Sequence, residues 1–218
     1  MRKALLTVCL TLLLASPLLG HQPEGEYQFY LAITTGGTFF SAPSPREEYW
    51  ILDLPSDFGK LWRHSRIDST YTVGFRFGYK IAPQWDLETC FHYSPTHQRI
   101  RGPLFSLDKP GGYQRNIIWP ERVWKLDVYR YLTNLSYYFV QKSVQPFLTA
   151  GMGGVTFNGD RTATTTNFAI NMGGGVKFRP KKRLRVSFDL KDLIIFNQYL
   201  FNQTRNNLTI TLAVEFLF

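Results

Sequence analysis

From Glu26 onward, apolar and polar residues alternate with a period of two, the spacing of a strand whose two faces meet different surroundings. The clearest run is Tyr71, Val73, Phe75, Phe77, Tyr79 and Ile81, with Thr72, Gly74, Arg76, Gly78 and Lys80 between them. One face is apolar and aromatic, and the other is small or charged. Phe168 to Phe178, Leu184 to Leu190 and Leu208 to Phe218 repeat the pattern. Eight runs can be marked off, at about 26–40, 69–82, 85–94, 124–141, 145–158, 167–178, 183–196 and 207–218. Each supplies the ~9–11 residues that a tilted strand needs to cross a bilayer. The connections after runs two, four and six are short, whereas about 41–68 and 95–123 are long. This arrangement predicts an all-β fold, an eight-stranded antiparallel up-and-down transmembrane β-barrel.

Facing rules sharpen the expectation, because residues paired across a hairpin share a face. A turn Ala82-Pro83-Gln84 pairs Ile81 with Trp85 and sets Lys80 opposite Asp86. Pairing Phe178 with Leu184 sets Gly174 opposite Phe188. Run four is apolar on both faces. An Arg toward lipid costs about 2–4 kcal/mol at the bilayer midplane, so Arg130 and Asn134 are expected inward. The same parity sends Gly151 and Gly153 outward and Leu148 and Met152 inward. The inward charged set is then Arg76, Lys80, Asp86, Glu88, His92, Arg130, Lys177, Arg185, Asp189, Lys191 and Glu215. Eight strands enclose a space that side chains can just fill, so mixed signs there point to a salt-bridged network rather than a selective ion path. Aromatics gather at the run ends. Tyr79, Trp85, Phe139, Phe147 and Phe178 lie beside the short turns, and Tyr71, Tyr93, Trp124, Phe157 and Phe168 lie toward the loops, as in interfacial girdles.

Composition removes competing classes. Hydrophobic residues are 44% of the 218, without the ~20-residue apolar run of a helical membrane span. Aromatics at 16% exclude a disordered chain. Arg2 and Lys3 precede an apolar stretch from Ala4 to Leu14, followed by Ala15, Ser16, Pro17 and Gly20, the layout of a secretory signal peptide. Residues 1–20 are therefore expected to be removed and 21–218 to form the barrel. Removal lowers the formal charge from +9 to +7 and leaves Cys90 without a disulfide partner.

The eight-run plan over about 26–218 resembles the small outer-membrane β-barrels of the OmpA/OmpX type. The segment from Tyr79 to Glu88 is similar to that family's periplasmic turn, and Thr211 to Phe218 is similar to its C-terminal assembly signal. Thr211, Phe216 and Phe218 match the signal, and Ala213 stands where the family usually has glycine. The resemblance implies location in the outer membrane, recognition by the barrel assembly machinery, and contact with outer-membrane lipids and lipopolysaccharide. No cofactor, metal or nucleic-acid partner and no oligomer are expected. A structural or surface-interaction role is the first expectation. Two alternatives stand beside it, a lipid A-modifying hydrolase and a soluble lipocalin-like ligand-binding barrel. The hydrolase would rest on His92 and Ser94, because outer-membrane lipid A deacylases carry a His-x-Ser on a barrel strand. Here Pro95 replaces the Asn that normally follows, and Glu88 lies ~14 Å along the strand. His92 and His97 make only two metal ligands, fewer than a site requires.

Overall fold

The computed structural model describes residues 28–41, 61–108, 114–117, 121–140, 142–160, 162–198 and 203–218; the expected signal peptide at 1–20 lies outside them. Ten strands form: β1 (Phe29–Phe40), β2 (Leu61–Ile67), β3 (Thr70–Ala82), β4 (Trp85–Asp108), β5 (Gln114–Ile117), β6 (Arg122–Tyr138), β7 (Val144–Gly159), β8 (Thr162–Lys181), β9 (Leu184–Gln198) and β10 (Gln203–Leu217). Eight of them are the staves of a closed antiparallel barrel. They run β3-β1-β10-β9-β8-β7-β6, and β4 pairs with both β3 and β6 to close the ring. β2 and β5 fall within the spans expected as long connections, and both pair with the far half of β4.

Closure leaves no open edge around the barrel wall and satisfies backbone groups that lipid could not. The outer face is the apolar one. Phe75, Leu135, Phe168, Met172, Phe188, Leu212 and Phe216 are all exposed. Phe168 and Phe178 mark its two ends on β8. Ten steps of ~3.3 Å, tilted about 40°, give roughly 25 Å, the height of an apolar band facing lipid. Aromatic contacts concentrate at its margins, Trp85 on Tyr137 (4.8 Å between centroids) at the short-turn end and Tyr93 on Tyr129 (5.3 Å) at the other.

Local register departs from the sequence expectation in three places. Lys80 does stand opposite Asp86, but Ala82 rather than Ile81 pairs with Trp85. The turn is the two residues Pro83 and Gln84, and a bulge at Ile81 absorbs the remainder. Between β8 and β9, Phe178 meets Val186, so Phe188 faces Val176 and Gly174 faces Leu190. The tight turn Lys182-Arg183 closes on Lys181–Leu184. An irregularity falls at Pro180, which has no N–H for the ladder. The third departure inverts a whole strand. Tyr138 pairs with Phe147, and Phe139 N–H donates to the Pro146 carbonyl at 3.2 Å. An even number of residues separates the pair, so the inward face changes from even numbers on β6 to odd numbers on β7. Leu148 and Met152 are 56% and 61% exposed, whereas Phe147 is 2%. Leu148 and Met152 therefore face lipid, and Phe147 and Phe157 leave the expected girdles for the lumen. Gly151 and Gly153 are on the inner face. A Cβ at Gly151 would lie 2.1 Å from Asn134 Oδ1, so the two strands approach closely only because it is glycine.

Candidate functional site in the lumen

The lumen is filled in three layers. At the short-turn end, β3, β4, β8, β9 and β10 bring eight charged side chains together, all buried. Lys177 Nζ lies 2.6 Å from Glu88 Oε1 and 3.4 Å from Glu215 Oε1. Arg185 Nε donates to Glu215 at 2.5 Å, and its Nη2 lies 3.4 Å from Asp86. Arg76 pairs with Asp189 and lies 3.6 Å from Glu88 and 3.5 Å from Glu215. Lys191 lies 3.4 Å from Asp189. Tyr138 donates to Asp86 at 2.6 Å, and Tyr30 donates to Glu88. Lys177 and Arg185 also sit over the Tyr30 ring, at 4.8 and 4.7 Å. Signs alternate in space, so each ion's loss of water is offset by neighbours of opposite charge. Tyr30 can lie flat because Gly78 is beneath it; a Cβ there would stand 2.0 Å from the ring.

The middle layer is built of hydroxyls around one cation. Arg130 donates from Nη2 to Thr72 (2.6 Å) and Ser94 (3.2 Å) and from Nη1 to Thr209 (3.0 Å). Ser94 donates in turn to Thr72 at 2.9 Å. His92 stands opposite Arg130 across the β4–β6 ladder.

The third layer, toward the long connections, is apolar. Phe40, Ile67, Leu126, Val128, Leu132, Val155, Phe157, Ala169, Leu193 and Ile195 form one buried cluster. Ile67 reaches it through a one-residue slip. Val73 pairs with Tyr93, while Ile67 pairs with Gln98. The slip falls where Pro95 interrupts the donors of β4. Beyond the cap β4 continues to Asp108, with β2 and β5 alongside. On this projection Asp68 accepts from Arg99 Nε at 2.7 Å and holds the guanidinium above its ordinary range; Glu121 lies 3.7 Å away.

The structure places all ten residues of the expected charge network in the wall facing the lumen, with His92 beside them. It joins Arg76, Asp86, Glu88, Lys177, Arg185, Asp189, Lys191 and Glu215 through ion pairs and sets Arg130 apart in the hydroxyl layer. Lys80 lies at the lower rim opposite Asp86. Thr211 and Ala213 face inward, whereas Phe216 and Phe218 are exposed outward. His92 and Ser94 do share the lumen face, yet Ser94 bonds to Thr72 and Arg130, and Glu88 is held by Lys177, Tyr30 and Arg76. No His-Ser-acid chain forms among them. His97 is on the opposite face of β4 from His92. Sequence reasoning missed Tyr30, Phe147 and the apolar cap. Tyr30 shared its face with Ala32 and Thr34 and was legible by parity; Phe147 was hidden by the face inversion of β7.

Residues 10–216 match the family described as outer membrane protein beta-barrel domain. No curated relative matches the chain. Similar solved structures include Neisserial surface protein A (13% identity, covering 87% of this chain and 97% of that one, TM-score 0.51). OprG of Pseudomonas aeruginosa is similar too (12% identity, 90% and 100% covered, TM-score 0.51). So is AlkL in lipid bilayers (12% identity, 91% and 94% covered, TM-score 0.50). At these identities the structural likeness is one of fold, an eight-stranded barrel of the bacterial outer membrane. Together with the family match over nearly the whole length, the lipid-facing apolar band and the filled lumen have one reading: the chain is an outer-membrane protein and belongs to the outer membrane β-barrel domain family.

Proposed function

We propose that this protein is a non-enzymatic surface-interaction barrel whose lumen is closed by its own side chains. The observation that carries the surface role is the length of β4. It has 24 residues, more than twice the ~9–11 that a span uses. The stretch from Gln98 to Asp108 adds about 35 Å of strand, flanked by β2 and β5. A paired sheet standing out from the barrel offers a rigid surface for contact, which a transport function does not require. The paired ions and the apolar cap support closure, and the engagement of Ser94 and Glu88 elsewhere supports the absence of hydrolase chemistry.

The partners follow from chemistry. Arg99, Arg101, Lys109, Arg115 and Arg122 in the 95–123 span suit the phosphates of lipopolysaccharide. Phe216 and Phe218, on the lipid face, and Thr211 suit recognition by the barrel assembly machinery. The protein acts as a monomer. The test is a deletion strain complemented with the full chain or with one in which residues 101–117 are replaced by a short Gly-Ser linker. Surface binding restored by the full chain and not by the shortened one, with lipid A mass unchanged in all strains, is the expected result. A change in lipid A mass that follows the gene, or equal binding by both chains, overturns the reading.

A further inference from the structure

Arg130 differs from the ion-paired cations of the lower layer. Arg76, Lys177, Arg185 and Lys191 each lie against Asp86, Glu88, Asp189 or Glu215. Arg130 is 2% exposed, and among the described residues its only side-chain partners are the hydroxyls of Thr72, Ser94 and Thr209. A buried cation held only by neutral groups is costly. Among the described residues, the buried polar atoms left unpartnered in this layer include Arg130 Nε and His92 Nε2, on residues directly opposite each other.

The geometry of the guanidinium selects the kind of ligand. Carboxylates and phosphates bind Arg through two parallel N–H groups, and the Nε edge would offer Nε–H with one hydrogen of Nη2. Nη2 on that edge already donates to Thr72 and Ser94, which leaves Nε–H as the donor without a partner among the described residues. Thr209 accepts from Nη1 and keeps its own proton to donate. Neutral His92 can carry its proton on Nε2. Single donors on separate groups suit a one-atom anion. The apolar cap above and the ion-paired layer below enclose the site.

We propose that the middle layer of the lumen holds one halide ion, chloride in the native setting, against Arg130 Nε, with Thr209 and His92 as further donors. The full chain, refolded in detergent micelles, is unfolded in urea while sodium bromide or chloride replaces sodium gluconate at constant ionic strength. For one site the unfolding equilibrium constant falls about tenfold for each tenfold rise in halide above its dissociation constant. Arg130→Met should remove this dependence. Should that variant not fold, Thr209→Val keeps the site's volume and should raise the half-saturating bromide concentration about tenfold, the worth of one hydrogen bond to an ion. Crystals soaked in bromide should show anomalous scattering at hydrogen-bond distance from Arg130 Nε. Stability in wild-type protein that is indifferent to halide, a dependence unchanged in both variants, or a chain carboxylate found at Nε would each overturn the proposal.

Discussion

Replacing Glu88 by Gln removes a charge from the lower layer without changing the side chain's shape. Among the described residues Lys177 then keeps one carboxylate, Glu215 at 3.4 Å, beside the Tyr30 hydroxyl at 3.2 Å, and Arg76 keeps Asp189 and Glu215. Removing one partner of a buried pair costs about 3–5 kcal/mol. Because Glu215 still faces both cations, the lower end applies, about 3 kcal/mol. Lys177→Met leaves Glu88 with Arg76 at 3.6 Å and should cost a similar amount. In the double variant the charges leave together, so its cost should fall short of the sum by about 2 kcal/mol. Were the lumen a wet channel, the same pair would be screened like a surface pair and contribute roughly 0–1 kcal/mol. Urea unfolding in phospholipid vesicles, followed by heat-modifiable gel mobility, measures all four proteins, with unchanged m-values required for comparison. A cost under about 1 kcal/mol for Glu88→Gln, or additivity of the two substitutions, would refute the packed network.

Three further outcomes follow from the same structure. Phe157→Ala should cost about 3–5 kcal/mol in that unfolding assay, because the ring is fully buried in the cap; a lipid-facing ring would cost far less. Met152→Arg should impair refolding into vesicles by about 2–4 kcal/mol, and normal refolding would restore the inward assignment of Met152 that the β6–β7 register excludes. In a Cys90→Ala background, a membrane-impermeant biotin reagent applied to intact cells should label Cys placed at Ser106 and spare Cys placed at Lys182; the reverse pattern would invert the barrel in the membrane.

The staves were legible because alternation is a local property. Arg76 between Phe75 and Phe77 declares its face with no knowledge of any partner. β7 did not declare its face, since Leu148 and Met152 on one side and Phe147 and Val155 on the other are equally apolar. Its orientation follows from the residue count between Tyr138 and Phe147, which only the formed turn fixes. The β8–β9 register was obscured by the tight turn at Lys182-Arg183 and by the one-residue irregularity between Phe178 and Lys181, beside Pro180 and its missing donor. The apolar cap was unexpected because Leu193 and Ile195 continue the inward face that Arg185, Asp189 and Lys191 begin, so one strand face changes character with height. Partners within the lumen were not legible either. Arg130 meets Thr72 and Thr209 from strands 58 and 79 residues away, and only closure of the ring brings those walls together.

Closure of the lumen is tested most directly by planar-bilayer recording from the purified full-length barrel, with insertion verified in the same membranes by heat-modifiable mobility. Paired ions below, hydroxyls around Arg130 and the apolar cap above predict insertion without resolved conductance steps at either polarity. Steady, ion-selective current in most insertions would contradict the filled lumen.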